Sequence, residues 1–395
     1  MTLVYIANIR LPTEKAHGIQ IMKMCEAFAC AGAEVMLVVP TRKNPGLAAV
    51  DPFDYYRTEK KFAIRFVKCP DPEFLMRFPW GAYIKAQRIL FAHAVKSFLK
   101  SSGIGKDDIL YTRDEHLLST AQRYSGRVVW EAHALPRHSW MYRQAWRKCG
   151  AIITITEYLR RELARQGIDE KKIIVARDGV DVEKFDTSNK TDKTDRQDLR
   201  RRLELPQEKK IVLYTGHLYD WKGAGTLLKA TDLVNQKLGM RNQELMFVFV
   251  GGTAKDVQNF KRKAERLSLI NVLIAGHRRH DEIPLWLAAA DVLVVPNSGK
   301  SAISRYYTSP MKLFEYMASG TPIVASDLPS IREVLQDHHA VLVPPDDPRA
   351  LARGIQTVLN NPGAARMRAA QARHDVVPFD WQVRAKNIID FIRTR

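Results

Sequence analysis

Short apolar runs alternate with segments of helical periodicity almost from one end of the chain to the other. LVYIA (3–7) comes first, then apolar residues at helical spacing over 19–30, then VMLVV (35–39). ILYT (109–112), RVVW (127–130), AIITI (151–155) and KIIV (172–175) follow, with helical patterns between most of them. Runs this short and this continuously apolar suit strands buried on both faces, and helices between them suit parallel crossovers. The rhythm stops over 186–209, DTSNKTDKTDRQDLRRRLELPQEK, which is polar and charged and has no large aliphatic residue before Leu199. It resumes with IVLYT (211–215), LMFVFV (245–250), NVLIA (271–275), DVLVV (291–295), PIVA (322–325) and AVLV (340–343). The pattern predicts two α/β domains of similar size, 1–185 and 210–380, each a parallel sheet covered by helices on both faces. The segment 186–209 is either a linker or an exposed first helix, and 381–395 reads as an amphipathic helix after the last strand.

Composition narrows the partners. The 395 residues are 46% hydrophobic and 27% charged, an ordinary globular balance for two or three domains. The longest apolar candidate for a membrane span, Ile283 to Val295, is too short and carries Asp291. The opening MTLVYIANIR places its first Arg after the apolar run, the reverse of a secretory leader, so a cytoplasmic location is expected. Cys25, Cys30, Cys69 and Cys149 lack metal-type spacing and are expected as buried thiols of a reducing compartment rather than disulfides. The formal charge of +19 favours acidic partners. Residues 57–100 alone hold ten basic and three acidic residues. No zinc-finger, RNP or basic-zipper pattern accompanies the excess, so nucleic acid is not an expected partner. In that segment Phe74, Leu75, Met76, Phe78, Trp80 and Tyr83 interleave with Arg77 and Lys85. Either these apolar residues pack into the first domain, or they form a patch that meets an anionic membrane surface.

Three local patterns point to chemistry. Ser309-Pro310-Met311-Lys312-Leu313-Phe314-Glu315 reads as a helix start, with Ser as N-cap and Pro at the first helical position. The amides of Met311, Lys312 and Leu313 would then face an anion, with Lys312 adding charge and Glu315 one turn along. An ordinary capped helix with an internal Lys–Glu pair has the same pattern. GHLYDWKG (216–223) follows a strand and opens a helix, and its Lys222 suits phosphate at the carboxyl end of a parallel sheet. It matches neither GxGxxG nor GxxxxGK[ST], so nicotinamide and P-loop readings fail. His133 in VVWEAHALPR follows a strand directly, the position of ligand-facing residues in doubly wound sheets. The i, i+3 pair His277 and His280 flanks two arginines and has too few ligands for a metal, so no metal site is expected. Gly18 opens the first helix, either to let backbone approach a ligand or as a simple turn.

Taken together, GHLYDWKG, SPMKLFEYMASGTPIVASDLPSIREVL, IITITEYLRREL…KIIVARDGVDVEKF and WQVRAKNIIDFI resemble the family 4 glycosyltransferases of the GT-B fold. The resemblance implies two Rossmann-like domains facing a cleft, with the C-terminal helix crossing back to the first. It implies a UDP- or GDP-linked sugar donor on the second domain, a glycan or lipid-linked acceptor on the first, retention of configuration, and no required cofactor. By position, Lys222 matches the diphosphate-binding lysine and Glu315 the second glutamate of E-x7-E, which grips the ribose. Gly18 matches the loop near the diphosphate, and His133 the active-site histidine near the transferred sugar. Gly276 to Arg278, including His277, match the turn at the base. Two positions depart: the family's Arg before the lysine is His217, for which Lys312 is expected to substitute, and the first glutamate falls at Tyr307. A nucleotide-sugar epimerase and a basic nucleic-acid binder are the competing readings. Turnover without acceptor would mark the first, and steeply salt-dependent nucleic-acid binding the second.

Overall fold

Each stretch of alternation closes into its own parallel sheet. The first holds β1 (Thr2–Ile6), β2 (Glu34–Pro40), β3 (Ala63–Val67), β4 (Ile109–Thr112), β5 (Arg127–Ala132), β6 (Ala151–Thr154) and β7 (Ile173–Val175), ordered β3-β2-β1-β4-β5-β6-β7. The second holds β8 (Lys210–Thr215), β9 (Leu245–Val250), β10 (Val272–Gly276), β11 (Val292–Val295), β12 (Ile323–Ser326) and β13 (Val341–Val343), ordered β10-β9-β8-β11-β12-β13. This computed structural model describes residues 1–78, 81–187, 193–237 and 244–395. The chain divides into Met1–Arg177 with Trp381–Arg395, and Asp178–Asp380.

Both sheets bury the two faces of their inner strands, as the apolar runs require. In the second unit Ile211, Leu213, Val248 and Leu293 belong to one core, and Val212, Tyr214, Phe247 and Val292 to the other. Alternate residues therefore serve opposite faces, the period of two that a strand imposes. In the first unit Trp130 of β5 stacks on Trp146 at 5.0 Å between centroids, and Phe91 and Val95 of the helix Ala82–Ser101 join the same core. Strand order reverses between β1 and β4 and again between β8 and β11, which opens a crevice at the carboxyl end of each sheet.

Three departures from the sequence reading have physical causes. The boundary lies after Arg177 rather than at 185, because Val180 and Phe185 bury in the core of the second unit and the Val180 amide donates to the Phe379 carbonyl. Of the two readings of 186–209, linker or exposed first helix, Lys193–Arg202 is the helix of that unit, but it is not simply exposed. Its Arg200 is buried, with the guanidinium on Asp291 Oδ2 at 2.8 Å and on the carbonyls of Ala289, Gln207 and Lys209. Residues 188–192 of the expected linker lie outside the described residues. Strand β3 escaped notice because it is an edge strand, with Ala63, Arg65 and Phe66 exposed. The C-terminal helix Trp381–Arg393 buries Trp381, Arg384, Ala385, Ile388, Ile389 and Ile392 and packs on the helix Ala16–Cys30. All four cysteines are free thiols, buried as expected except Cys30, which is exposed at the end of the helix Ala16–Cys30, and among the described residues no helix is long and apolar enough to cross a membrane.

Candidate functional site

The crevice of the second sheet gathers the charged residues singled out in its two motifs. β8 ends in Thr215, and the loop after it turns on Gly216 and Gly223, with φ of 122° and 75°. A Cβ at Gly223 would stand 1.6 Å from the Pro296 carbonyl oxygen, so this turn fits against the end of β11 only as glycine. That packing places the turn Asp220–Lys222 beside β11, and the half-buried Lys222 has its Nζ 4.2 Å from the Trp221 ring centroid. Burial pushes the Lys222 ammonium down to about 8, against the opposing pull of Asp178 and Glu315. Lys312 enters from the helix Met311–Ser319. Its Nζ donates to the Thr215 carbonyl at 3.1 Å and lies 3.9 Å from the Tyr214 ring centroid. Burial and the charge of Lys222 hold Lys312 well below the ordinary lysine range, and Glu315 offsets only part of this. Lys312 and Glu315 are both buried, 7% and 6% exposed.

Glu315 has a partner that the sequence reading missed. His280 Nε2 lies 2.8 Å from Glu315 Oε1, joining the turn after β10 to the Lys312 helix. The local hint is the i, i+3 spacing of His277 and His280. The same turn, at Gly276 with φ of 73°, carries the exposed His277 and the half-buried Arg278, whose guanidinium lies 5.7 Å from the Trp286 ring centroid. His217 stacks on Tyr219 at 4.8 Å between centroids with the rings 5° apart.

The helix start differs from the expected capping. The first helical residue is Met311 and the cap position is Pro310, while the Ser309 hydroxyl accepts from the Asp178 amide at 3.0 Å. The Leu313 amide is also taken, donating to the Pro310 carbonyl at 2.8 Å, so Leu313 does not offer the anion contact expected of it. Tyr307 lies in the wide helical turn Ile303–Tyr307.

In the first unit the signal is a buried carboxylate. Glu131, at 0% exposure near the end of β5, accepts on Oε1 from Gln20 Nε2 (2.8 Å) and Arg384 Nη2 (2.8 Å), and on Oε2 from the Tyr111 hydroxyl. His133 Nε2 is 2.9 Å from the same Oε1. Burial opposes this charge, but Arg384, His133 and Arg113 outweigh it and hold the carboxyl well below the usual range. His133 is thus one member of a network rather than an isolated ring. Gly18 is buried, and its missing side chain makes room for the Tyr56 hydroxyl, which a Cβ would meet at 2.2 Å. That hydroxyl bonds both the amide and the carbonyl of Thr13, so packing of the loop after β1 accounts for this glycine.

The basic, apolar segment of the first unit faces outward. Phe74, Met76 and Ile89 are 65%, 55% and 70% exposed, and Phe78, Ile84, Arg77 and Lys85 are exposed too. Leu75 is half-buried, and Tyr83 is turned into a polar cluster, donating to Asp71 at 2.8 Å and accepting from Arg10 at 2.9 Å. Trp80 lies outside the described residues. One group in the second unit has metal-ligand atoms: His338, His339 and Asp375 lie within 4.8 Å of one another. Because His339 Nδ1 accepts from the Gln336 amide, its Nε2 carries the proton that Asp375 takes at 2.8 Å. The pair is a hydrogen bond, with no lone pair left at Nε2 for a cation.

Comparison with known proteins agrees with this architecture. Residues 195–375 match the family described as glycosyl transferases group 1, and 18–184 match glycosyltransferase family 4. Among curated relatives, a D-inositol 3-phosphate glycosyltransferase of Xylanimonas cellulosilytica is 30% identical over 246 residues, 61% of this chain and 56% of the relative. One of Streptomyces bingchenggensis is 28% identical over 60% and 51%. The chain therefore spans about half the length of the curated relatives it matches. Sucrose-phosphate synthase of Thermosynechococcus elongatus aligns over 100% of this chain and 99% of its own, with a TM-score of 0.78 at 19% identity. Anabaena HepE in complex with UDP aligns over the whole of both chains, with a TM-score of 0.73 at 14% identity. At such identities the likeness speaks for the fold of two Rossmann-like domains.

Proposed function

The chain belongs to the group 1 glycosyltransferases, with a family 4 first half, and on that premise we propose that it moves a sugar from a nucleoside-diphosphate donor to a glycan or lipid-linked acceptor. The donor is UDP- or GDP-linked, and the reaction retains configuration. One observation carries this reading: Lys222 and Lys312 converge at the carboxyl end of β8, both held below their ordinary range by burial. A diphosphate supplies the counter-charge that this crevice lacks, and the negative charge growing on the leaving group strengthens the interaction in the transition state. The leaving phosphate oxygen takes the acceptor's proton on the same face of the sugar. Glu315, with one oxygen on His280, accepts from ribose hydroxyls through the other, and the turn at His277 and Arg278 meets the base. His133 meets the transferred sugar.

The test is calorimetric titration of UDP, GDP and their sugars into wild-type protein and into Lys222→Ala and Glu315→Ala. Selective binding of one nucleotide, weakened in both variants, is the expected result. Unchanged affinity in both would overturn the donor site. The acceptor side rests on the patch of Phe74, Met76, Phe78, Ile84 and Ile89 with Arg77 and Lys85, whose exposure supports docking on the inner face of the cytoplasmic membrane. Each basic residue near an anionic surface contributes about 1 kcal/mol. Replacing Arg77, Lys85 and Trp80 together should abolish sedimentation with anionic vesicles at low salt. Equal recovery of variant and wild type would point to a soluble acceptor.

A further inference from the structure

The buried carboxylate in the first unit does more than the fold requires. Four separate elements converge on it: Gln20 from the helix Ala16–Cys30, Tyr111 from β4, His133 just past β5, and Arg384 from the C-terminal helix. Arg384 is held in turn, with Nε on the Arg177 carbonyl at 2.7 Å and Nη2 on the Ala176 carbonyl at 3.0 Å. Its side chain is 2% exposed. Gln20 is fixed from its other end, its Oε1 accepting from Arg113 Nη1 at 2.7 Å. A buried ion pair of this kind is weak evidence for stability, since apolar residues of the same volume often do as well. What the pair does determine is which atom of His133 can carry a proton toward it. A carboxylate so fully occupied by donors accepts and does not donate, so the His133 nitrogen facing it, Nε2, must bear hydrogen.

We infer that Glu131 and Arg384 are positioning residues for His133: the C-terminal helix supplies the cation that keeps Glu131 an acceptor, and Glu131 fixes the imidazole with hydrogen on Nε2, which makes Nδ1 the acceptor nitrogen of the ring. The assignment rests on the glycosyl-transfer reading for its consequence but not for its geometry. The site of the first unit is then incomplete without residues 381–395, whose Arg384 lies 253 positions from Glu131 in sequence.

Two readouts separate this from a purely structural role. The first is the 15N spectrum of His133 at a pH where the ring is neutral. Wild-type protein should show a pyridine-type nitrogen at Nδ1 and a pyrrole-type nitrogen at Nε2. The double variant Glu131→Gln/Arg384→Met removes both charges together, leaving no buried ion unpaired, and should show a mixture of tautomers because an amide can face the ring either way. The second readout is turnover of UDP-glucose and GDP-mannose. In the double variant kcat should fall about ten- to a hundredfold, the scale of a misplaced hydrogen bond to the transferred sugar in the transition state, while KM stays within about twofold. Arg384→Lys keeps the charge with fewer hydrogen bonds and should retain the wild-type tautomer with a loss of about tenfold or less. A double variant with unchanged tautomer and kcat overturns the assignment. If the double variant does not fold, an Arg384→Lys protein with a changed tautomer overturns it instead. A wild-type protein that turns over neither donor, yet shows the single tautomer, would sink the transfer reading and leave the positioning geometry standing.

Discussion

At the carboxyl end of the first sheet one carboxylate, Glu131, is surrounded by donors from four elements; at the same end of the second, two lysines sit in the field of Glu315, which His280 already holds, with Asp178 acting on Lys222 as well. Both crevices come from one strand order. In the first, burial raises the cost of the charge but Arg384 and its neighbours overcome it, and the carboxyl is driven well below its usual range. In the second, burial dominates, so Lys222 and Lys312 are both pushed down and Lys312 is pushed further by Lys222 itself. A site whose charges are satisfied internally gains little from a charged ligand. A site whose cations are undercompensated gains a great deal, and that asymmetry is the physical basis for assigning the diphosphate to the second unit.

The contrast is most easily broken by stability. Glu131→Ala strands Arg384 in the interior and should cost about 3–5 kcal/mol, whereas Lys312→Met removes a buried cation and should cost less than about 1 kcal/mol. Denaturant midpoints of the two variants check this. Comparable losses would mean that the lysines are structural as well. Binding should respond the other way. Lys222→Ala and Glu315→Ala should each lose about 1.5–3 kcal/mol of nucleotide affinity, roughly ten- to hundredfold, while Glu131→Gln leaves that affinity unchanged. Titration calorimetry with UDP and GDP is the measurement.

Acidity sharpens the comparison further. Below about pH 8 Lys222 is charged in the folded and unfolded chain alike, and the cost of burying its ammonium is felt in full. Above that value the folded chain sheds the proton before the unfolded chain does, so the stability of the second unit should rise with pH. Diphosphate affinity should move oppositely, falling by up to about 1.4 kcal/mol per pH unit above 8, with proton uptake on binding. Calorimetry in buffers of different ionisation enthalpy detects that uptake, and its absence would show that Lys222 stays clear of the phosphates. The smallest effect belongs to His217. Its ring is stacked on Tyr219 and it stands where the family has a permanent cation, so at pH 8 His217→Ala should cost about 0.5 kcal/mol of nucleotide affinity, less than Lys312→Ala. A larger loss at His217 would reassign the second positive charge to it.

What could be read along the chain was whatever depends on neighbours in sequence. Apolar runs of four to six residues, glycines at the turn after β8, and the i, i+3 spacing of Lys312 and Glu315 all declare themselves within a few positions. These are consequences of backbone period and of glycine's access to positive φ, so two α/β units and the placing of Lys312 and Glu315 on one helix follow from them. Lys193–Arg202 defeats the same logic, because charge in a sequence looks solvated until something buries it, and Arg200 is buried by Asp291, some 91 residues away. His280 and Glu315 are 35 residues apart, and Glu131 and Arg384 are 253 apart. No local rule links such pairs. A carboxylate inside a parallel strand and an arginine on an otherwise apolar helix face each look like an error of patterning by themselves. Only the return of the last helix to the first sheet makes each the other's compensation, since a buried charge is tolerable only where packing brings its partner within hydrogen-bonding reach.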